Sequence, residues 1–140
     1  MTDARPFEIR VPTEDAFDAH IGFVVDDADE VGRCSGYLEV APHVCQPMGI
    51  IHGGVYAAIA ETLASSGTAQ GVLPLGKVPL GQSNNTSFLR PVGAGRVRGT
   101  GIAIHRGRTS WVWDVQIRDD QDRLCAVSRV TIAVRDQGPR

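Results

Sequence analysis

The sequence predicts an α+β fold in which one long helix packs against an antiparallel sheet of about five to six strands. Two observations lead to this fold class. A single helical pattern runs from residue 54 to about residue 72, and strand-like segments recur at regular intervals on both sides of it. The length of 140 residues suits one hydrophobic core. We therefore expect a single domain over 1–140, with 1–20 as an irregular lead-in.

The first elements after the lead-in are two strands. Residues 21–25 and 31–40 show alternating side chains and predict a hairpin that ends at Pro42. The less polar set of the second strand is expected to face the core: Cys34, Gly36, Leu38 and Val40. The alternate set is expected to face outward: Arg33, Ser35, Tyr37 and Glu39. Within the lead-in, one helical turn is expected near 14–20.

The helix is the clearest element of the sequence. The segment 54–72 carries apolar or small residues at helical spacing and is rich in alanine. Glu61 is the only charged side chain between Val55 and Val72, so we expect this helix to be buried on most sides. Residues that favour a helix end follow it: Gly71, Pro74 and Gly76.

Four further strands are predicted after Pro79. They span 80–91, 95–105, 109–118 and 123–135. The intervening turns at 91–95, 106–108 and 119–122 contain the Gly, Pro and Asp residues that turns favour. Strands joined by such short turns predict an antiparallel meander.

Charge and hydropathy exclude several functional classes. A formal net charge of -2 provides no basic field for nucleic acid. The apolar runs are short and interrupted by glycine, so none is expected to span a bilayer. Residues 1–10 lack the apolar centre of a signal peptide, which predicts a cytoplasmic protein.

The cysteines do not predict a disulfide framework or a metal site. Cys34, Cys45 and Cys125 are odd in number and widely spaced, and we expect buried or half-buried thiols that serve as small apolar residues. His43 and Cys45 form an H-x-C pair, but no second pair with metal-ligand spacing accompanies it. No metal or other cofactor is therefore expected.

The most informative segment is 46–54, Gln-Pro-Met-Gly-Ile-Ile-His-Gly-Gly, at the start of the predicted helix. The N–H of Gly53 at a helix N-terminus is suited to donate to a carbonyl oxygen that gains negative charge. Glu61 is an acid on an otherwise apolar helix, where burial is costly without a role or a partner. Together these groups indicate attack on a polarised acyl group.

Gly53 and Glu61 are too far apart to act on the same carbonyl within one chain. Eight residues of helix separate them by roughly 12 Å along the axis and about 80° around it. Reacting atoms must approach to about 3.5 Å or less. If both groups are catalytic, each active site is built from two copies of the chain, as in a two-fold dimer with antiparallel helices.

Three other residues are candidates for the same site. Gln46 lies in the preceding loop, and its amide N–H can supply a second hydrogen bond to the same oxygen. Ser65 follows Glu61 by one turn on the same helix face, where a hydroxyl can hold a water or orient the carboxylate. His52 is either a capping or packing residue, which we favour, or a catalytic base. A structural role for Glu61 and a plain glycine turn at Gly53 are the open alternatives.

The pattern Gln46-x-x-Gly49-x-x-His52-Gly53-Gly54, with Glu61 beyond it, resembles the hotdog-fold acyl-CoA thioesterases of the phenylacetate-degradation type. Three further segments are similar to the glutamate-type 4-hydroxybenzoyl-CoA thioesterases: 81–92 (GQSNNTSFLRPV), 111–115 (WVWDV) and 123–128 (RLCAVS). The resemblance covers about 21–136. It implies a long helix wrapped by an antiparallel sheet, dimers that assemble into a homotetramer, and a cofactor-free reaction of aromatic degradation. That reaction is hydrolysis of 4-hydroxybenzoyl-CoA to 4-hydroxybenzoate and coenzyme A.

By position, the resemblance also implies roles for the candidate residues. Glu61 would be the nucleophile or general base, and Gly53 would donate its N–H to the thioester carbonyl. Gln46 and His52 would shape that site, and Ser65 stands where the family has a threonine that places water. Contacts to coenzyme A are implied for a second set: Gly54, Arg90, Arg108, Thr109 and Ser110.

The chain departs from the family pattern at two of the implied nucleotide contacts. Arg108 replaces a small hydroxyl residue, and Gly138 stands where the family has a phosphate-binding arginine. The candidates to replace that arginine are Arg108, Arg135 and Arg140, because guanidinium groups suit phosphate.

The sequence leaves other functions open. A broad-specificity thioesterase would act on phenylacetyl or medium-chain acyl-CoA. A hotdog dehydratase needs a histidine and an acid for proton transfer at carbon, a geometry that His52 and Glu61 do not obviously fit. From a different functional class, a non-catalytic module would bind acyl-CoA without releasing the thiol.

Overall fold

A computed structural model describes residues 8–28 and 30–138. The strands are β1 (Phe23–Val25), β2 (Arg33–Glu39), β3 (Lys77–Phe88), β4 (Arg96–Arg106), β5 (Ser110–Arg118) and β6 (Leu124–Asp136). The α-helices are α1 (Phe17–Ile21) and α2 (Gly53–Val72), and short 3-10 turns lie between elements. The predicted α+β class is confirmed, with one long helix against a six-stranded antiparallel sheet.

The order of strands in the sheet is β1-β2-β4-β5-β6-β3. The predicted meander is therefore wrong at one connection, because β3 and β4 follow each other in sequence but are not neighbours. The long helix explains the difference. After β2 the chain runs along α2, which packs across β2, β4, β5 and β6, and returns as β3 at the far edge of the sheet.

Several predicted element bounds were wrong by a few residues. Ile21 ends α1 rather than beginning a strand, and Gly22 closes that helix in a left-handed conformation (φ 79°). β3 begins at Lys77, earlier than predicted, because Gly76 (φ 72°) turns the chain directly into the strand. Pro79 is tolerated within β3 because this is an edge strand.

The hydrophobic core lies between α2 and the inner face of the sheet. The helix contributes a buried side made of Tyr56, Ile59, Ala60, Leu63, Ala64, Gly67, Thr68 and Val72. The sheet contributes side chains that include Cys34, Leu38, Val97, Trp113, Val115, Ile117, Val130 and Ile132. The predicted inward face of β2 is confirmed at Cys34, Gly36 and Leu38.

Two polar side chains at the centre of this core, Thr68 and Trp113, are hydrogen-bonded. The indole N–H of Trp113 donates to Thr68 Oγ1 at 2.9 Å, and the Thr68 hydroxyl donates to the Ala64 carbonyl at 2.8 Å. Both side chains are fully buried. Since an unpaired buried donor is costly, these two bonds fix the position of the Trp113 ring against α2.

The predicted state of the cysteines is confirmed. Cys34 and Cys125 are buried, Cys45 is half-buried, and all three are free thiols. Within 8–28 and 30–138, no group of three or more His, Cys, Asp or Glu side chains is placed to hold a metal ion. No helix in these ranges combines the length and the apolar character that crossing a membrane requires.

Close packing of α2 on the sheet gives a first prediction. A Cβ at Gly67 would overlap the Trp113 ring, so Gly67→Ala should lower the free energy of unfolding by about 1–3 kcal/mol. Denaturant unfolding at a fixed protein concentration measures the change. Gln70→Ala, at an exposed position of the same helix, is the control and should change it by about 0.5 kcal/mol or less. Equal effects of the two variants would contradict the described packing.

Candidate active site

The N-terminus of α2 is formed by His52, Gly53 and Gly54. His52 is the N-cap residue, with an extended backbone, and its Nδ1 accepts a hydrogen bond from the Gly54 N–H at 2.9 Å. Because Nδ1 is the acceptor, a neutral ring carries its proton on Nε2. The structure thus gives His52 the capping contact favoured from the sequence, while a catalytic role for it stays a prediction.

Gly53 is the first residue of α2, and its N–H has no acceptor among the described residues. This is the position where a helix leaves a donor unsatisfied and where the positive end of its dipole lies. The Phe88 ring packs against this glycine, so that a Cβ at Gly53 would come within 2.8 Å of it. A side chain here would collide with Phe88, so this close contact requires glycine.

The loop before the helix holds Gln46 in a defined conformation. Its backbone N–H donates to the Ile50 carbonyl at 2.8 Å, and its carbonyl accepts from the Gly49 N–H at 2.9 Å. Gly49 permits this turn through a left-handed φ of 82°. The Met48 N–H donates to Gln46 Oε1. Since the amide oxygen faces that donor, the Gln46 NH2 group is left to donate elsewhere.

Glu61 lies in an open cleft of about 410 Å³ between α2 and β3. The cleft is lined by Gly54, Ala57, Ala58, Glu61, Asn84, Thr86 and Phe88. Opposite Glu61 is Gly81, where a Cβ would come within 3.2 Å of Glu61 Oε1, so a glycine leaves room for the carboxylate. Phe88, which covers Gly53, lines the other end of the same cleft. The cleft therefore leads from the helix N-terminus towards the acid.

The expectation that α2 is buried on most sides is confirmed for the larger part of the helix. Gly54, Glu61 and Gln70 are its exposed residues, and the other positions are buried or half-buried. Gly54 and Glu61 share one side of the helix, which lines the cleft, and Gln70 lies on the opposite side. Ser65 is half-buried, one turn beyond Glu61 on the same side. Its predicted role as a water-placing hydroxyl is compatible with this position and stays a prediction.

Sequence reasoning missed the polar residues that β3 contributes to the cleft. Asn84 and Thr86 point inward from this strand, with Ser128 beside them on β6. Asn84 Nδ2 donates to the Ala57 carbonyl at 2.9 Å, which ties β3 to α2 within the cleft. The signal was present in the sequence, since 82–87 is polar at every position, whereas a strand with one face against a core is expected to be apolar at alternate positions.

Tyr56 supports Phe88 from inside the protein. The two rings stack with centroids 6.2 Å apart and an interplanar angle of 27°. Tyr56 is buried, and its hydroxyl has no hydrogen-bond partner among the described residues. Burial raises the pKa of this hydroxyl well above its usual value. Tyr56 is thus a neutral wall behind Phe88.

The predicted coenzyme A contacts lie at two ends of the sheet. Arg90 follows β3 just after Phe88, and its N–H donates to the Cys125 carbonyl at 3.1 Å. The turn with Arg108 and Thr109 precedes Ser110 at the start of β5. Ser110 pairs with Ala133 of β6, and Ala133 pairs on its other side with Leu80 near the start of β3.

Eight residues of strand between Leu80 and Phe88 correspond to about 27 Å. One chain therefore does not bring Arg90 and Arg108 together. Arg108 lies instead near Lys77 and Asp136: the Lys77 ammonium, with a smaller effect from Arg108, lowers the pKa of the Asp136 carboxyl. Arg135 donates to the Thr109 carbonyl at 2.8 Å, and Arg140 lies outside the described residues.

Comparison with known proteins identifies the family. A family model described as "Thioesterase superfamily" matches residues 48–126, a segment that contains Gly53, Gly54 and Glu61. The chain belongs to the thioesterase superfamily. Its helix-and-sheet arrangement is the hotdog fold of that superfamily.

Two similar proteins are named as a CoA-ester hydrolase and as a thioesterase. A 1,4-dihydroxy-2-naphthoyl-CoA hydrolase of Listeria monocytogenes is 40% identical over 76% of this chain and 85% of the relative. The proofreading thioesterase EntH of Klebsiella pneumoniae is 34% identical over 90% of each chain.

A solved structure from Staphylococcus aureus, a Glu→Ala variant, is 32% identical with a TM-score of 0.83 and covers 87% of this chain and 100% of its own. A second structure of that protein, described as a thioesterase enzyme, is a Gln→Ala variant. Its TM-score is 0.80 at 32% identity, covering 84% of this chain and 97% of its own.

Proposed function

We propose that this protein hydrolyses aryl-CoA thioesters, with 4-hydroxybenzoyl-CoA as substrate and 4-hydroxybenzoate and coenzyme A as products. The observation that carries the proposal is the Gly53 N–H. It has no acceptor among the described residues and lies at the positive end of a long helix, next to Gly54 and Phe88, which line the cleft that contains Glu61. Such a donor stabilises the oxyanion that forms when a thioester carbonyl is attacked.

The chain supplies the groups that this reaction needs. The Gly53 N–H and the Gln46 NH2 group donate to the carbonyl oxygen. In one route a Glu61 oxygen bonds to the carbonyl carbon and the C–S bond breaks, so that coenzyme A leaves as its thiolate. Water then opens the mixed anhydride, which frees the acid and the Glu61 carboxylate, and the proton of that water neutralises the thiolate. In the other, Glu61 takes a proton from water as the water attacks, and the proton passes to the departing thiolate.

The relatives support both the residues and the substrate class. The two Staphylococcus aureus variants change a glutamine and a glutamate fifteen positions apart, which is also the separation of Gln46 and Glu61 here.

The Listeria relative is named for a bicyclic aromatic acyl-CoA. In this chain Gly54, Ala57 and Ala58 leave space along the helix, and Phe88 offers a flat apolar wall. Such a cleft suits an aromatic acyl group.

A second copy of the chain completes the site in this proposal. Gly53 and Glu61 of one chain are about 12 Å apart along α2, so they do not reach the same thioester. β3 is an edge strand of twelve residues, and one of its sides is unpaired in the described chain. A long edge strand of this kind is a template for pairing with another chain.

Antiparallel pairing of two β3 strands brings the required groups together. With the two-fold axis near Asn84 and Asn85, Phe88 of one copy faces Gly81 of the other. Because Phe88 covers Gly53 and Gly81 lies beside Glu61, the donor of one copy then lies near the acid of the other. The homodimer is thus the unit that we propose for catalysis, and a tetramer is a dimer of such units.

The same pairing reconciles the proposed coenzyme A contacts. Arg90 at the Phe88 end of one copy comes to the same side as the Arg108–Ser110 turn of the other, which is level with Leu80. An arginine and backbone or hydroxyl donors from two chains then face the nucleotide phosphates. Gly54, on the cleft side of the helix N-terminus, contacts the pantetheine end of the substrate in this arrangement.

The oxyanion donor can be removed without removing the helix. Proline is accommodated at the first helical position and lacks the N–H, and His52 already has the extended backbone that proline requires before it (ψ 132°). Gly53→Pro should lower kcat by about 10² to 10³ relative to Gly53→Ala, which keeps the N–H. Both variants also carry Phe88→Ala to admit the new Cβ. Equal kcat values and equal single-turnover rate constants for the Gly53→Pro and Gly53→Ala variants would show that this donor plays no part.

Substrate class is tested by release of free thiol from a panel of acyl-CoA thioesters: 4-hydroxybenzoyl, benzoyl, phenylacetyl and octanoyl. We expect the highest kcat/KM for 4-hydroxybenzoyl-CoA, by about tenfold over octanoyl-CoA, and a loss of about 10² to 10⁴ in kcat for Glu61→Gln. Gln70→Ala is the matched helix control. Faster octanoyl turnover would favour the broad-specificity thioesterase, and binding without thiol release would favour the acyl-CoA-binding module.

A further inference from the structure

Among the residues that line the cleft, Asn84 has the most side-chain hydrogen bonds. Its Nδ2 donates to the Ala57 carbonyl at 2.9 Å. Its Oδ1 accepts from the Thr86 hydroxyl at 2.7 Å and from the Ser128 hydroxyl at 3.2 Å. The amide is held in one orientation, because a flipped amide would place its oxygen against the Ala57 oxygen.

The carbonyl that Asn84 contacts belongs to the helical turn that carries Glu61. Ala57 precedes Glu61 by four residues, so in α2 its carbonyl also accepts the backbone N–H of Glu61. One oxygen is therefore shared by the turn that presents the acid and by a side chain of β3. Asn84 fixes the distance between that turn and the edge strand.

Glu61 depends on this backbone contact because its side chain is not held directly. Its carboxylate makes no hydrogen bond and no ion pair to any residue within 8–28 and 30–138. The strand residue that faces it, Gly81, has no side chain with which to hold it. Its placement in the single chain is thus set by the helix turn alone.

The two hydroxyls behind Asn84 anchor it to the sheet. Thr86 and Ser128 are cross-strand neighbours on β3 and β6, with their oxygens 2.8 Å apart. Ser128 is only 6% exposed, and its hydroxyl also lies 3.2 Å from the Asn85 carbonyl. The chain of contacts thus runs from the buried sheet through Ser128, Thr86 and Asn84 to Ala57, which is next to the site.

We propose that Asn84 is a positioning residue for Glu61: through the Ala57 carbonyl it sets where the acid meets the thioester. The inference rests on the proposed function, because it takes Glu61 as the catalytic acid or base. Asn84 touches neither the carbonyl carbon nor the thiol in this account. Its removal should therefore slow the chemical step and leave substrate binding nearly unchanged.

The test compares three alterations of this contact. Asn84→Leu removes donor and acceptor at similar volume, and Asn84→Asp places an acceptor oxygen against the Ala57 oxygen. The Thr86→Val/Ser128→Ala pair keeps Asn84 but removes both hydroxyls that orient it. Ser87→Ala, which follows Thr86 and lies on the opposite face of β3, is the control. The measurements are steady-state kcat and KM, the single-turnover rate constant, and the Kd of a non-hydrolysable thioether analogue. Light scattering checks the oligomeric state.

Both Asn84 variants should lower kcat by about tenfold while KM and the analogue Kd stay within about twofold. The hydroxyl pair should lower kcat about threefold, and Ser87→Ala should leave it unchanged. Unchanged kcat in the Asn84 variants, or a parallel loss of binding and rate, would overturn the inference. If an Asn84 variant fails to fold or assemble, the Thr86→Val/Ser128→Ala double variant provides the test. A wild-type kcat in that double variant would overturn the inference.

Glu61→Gln in the same assay separates this inference from the function on which it depends. An active Glu61→Gln enzyme would contradict the proposed function. An inactive Glu61→Gln enzyme with fully active Asn84 variants would contradict the positioning role alone.

Discussion

The length of helix between Gly53 and Glu61 is the constraint on which the rest of the account depends. Two turns of α2 separate an unsatisfied N–H from an acid by about 12 Å, and close packing of the helix on Trp113 and the other core side chains prevents it from bending to shorten that distance. The two groups are therefore held rigidly apart within one chain, and the long unpaired edge of β3 is where we propose that a second copy supplies the missing group.

The fold assigns different tasks to the two sides of α2. The buried side supplies stability through Ile59, Leu63 and the Thr68–Trp113 contact. The uncovered side carries small residues and Glu61, so it forms one wall of the cleft with little side-chain bulk. Inward polar residues of β3 then hold the helix at a fixed distance. The side chains that build the core and those that line the cleft are thus on opposite faces of one element, and a cleft-side substitution need not destabilise the core.

The sequence predicted what local patterns control. Helical spacing located α2, and alternation located the inward face of β2, because side-chain periodicity follows directly from backbone geometry. The strand order was wrong, since pairing of β3 with β6 depends on where a long helix returns the chain. The exposure of Glu61 and the Asn84 contact to Ala57 also escaped prediction, because both depend on distances between elements far apart in sequence. The family resemblance was confirmed at the level of the superfamily.

The measurement that tests the shared site most directly mixes two inactive chains. Glu61→Gln chains and Gly53→Pro/Phe88→Ala chains, with different tags, are co-expressed and assayed for thiol release. If each site takes its donor from one chain and its acid from the other, half of randomly formed dimers are mixed and each has one intact site. About a quarter of wild-type activity should return. Activity no greater than that of the separate variants would contradict the account, because every site would then lie within one chain and carry a defect.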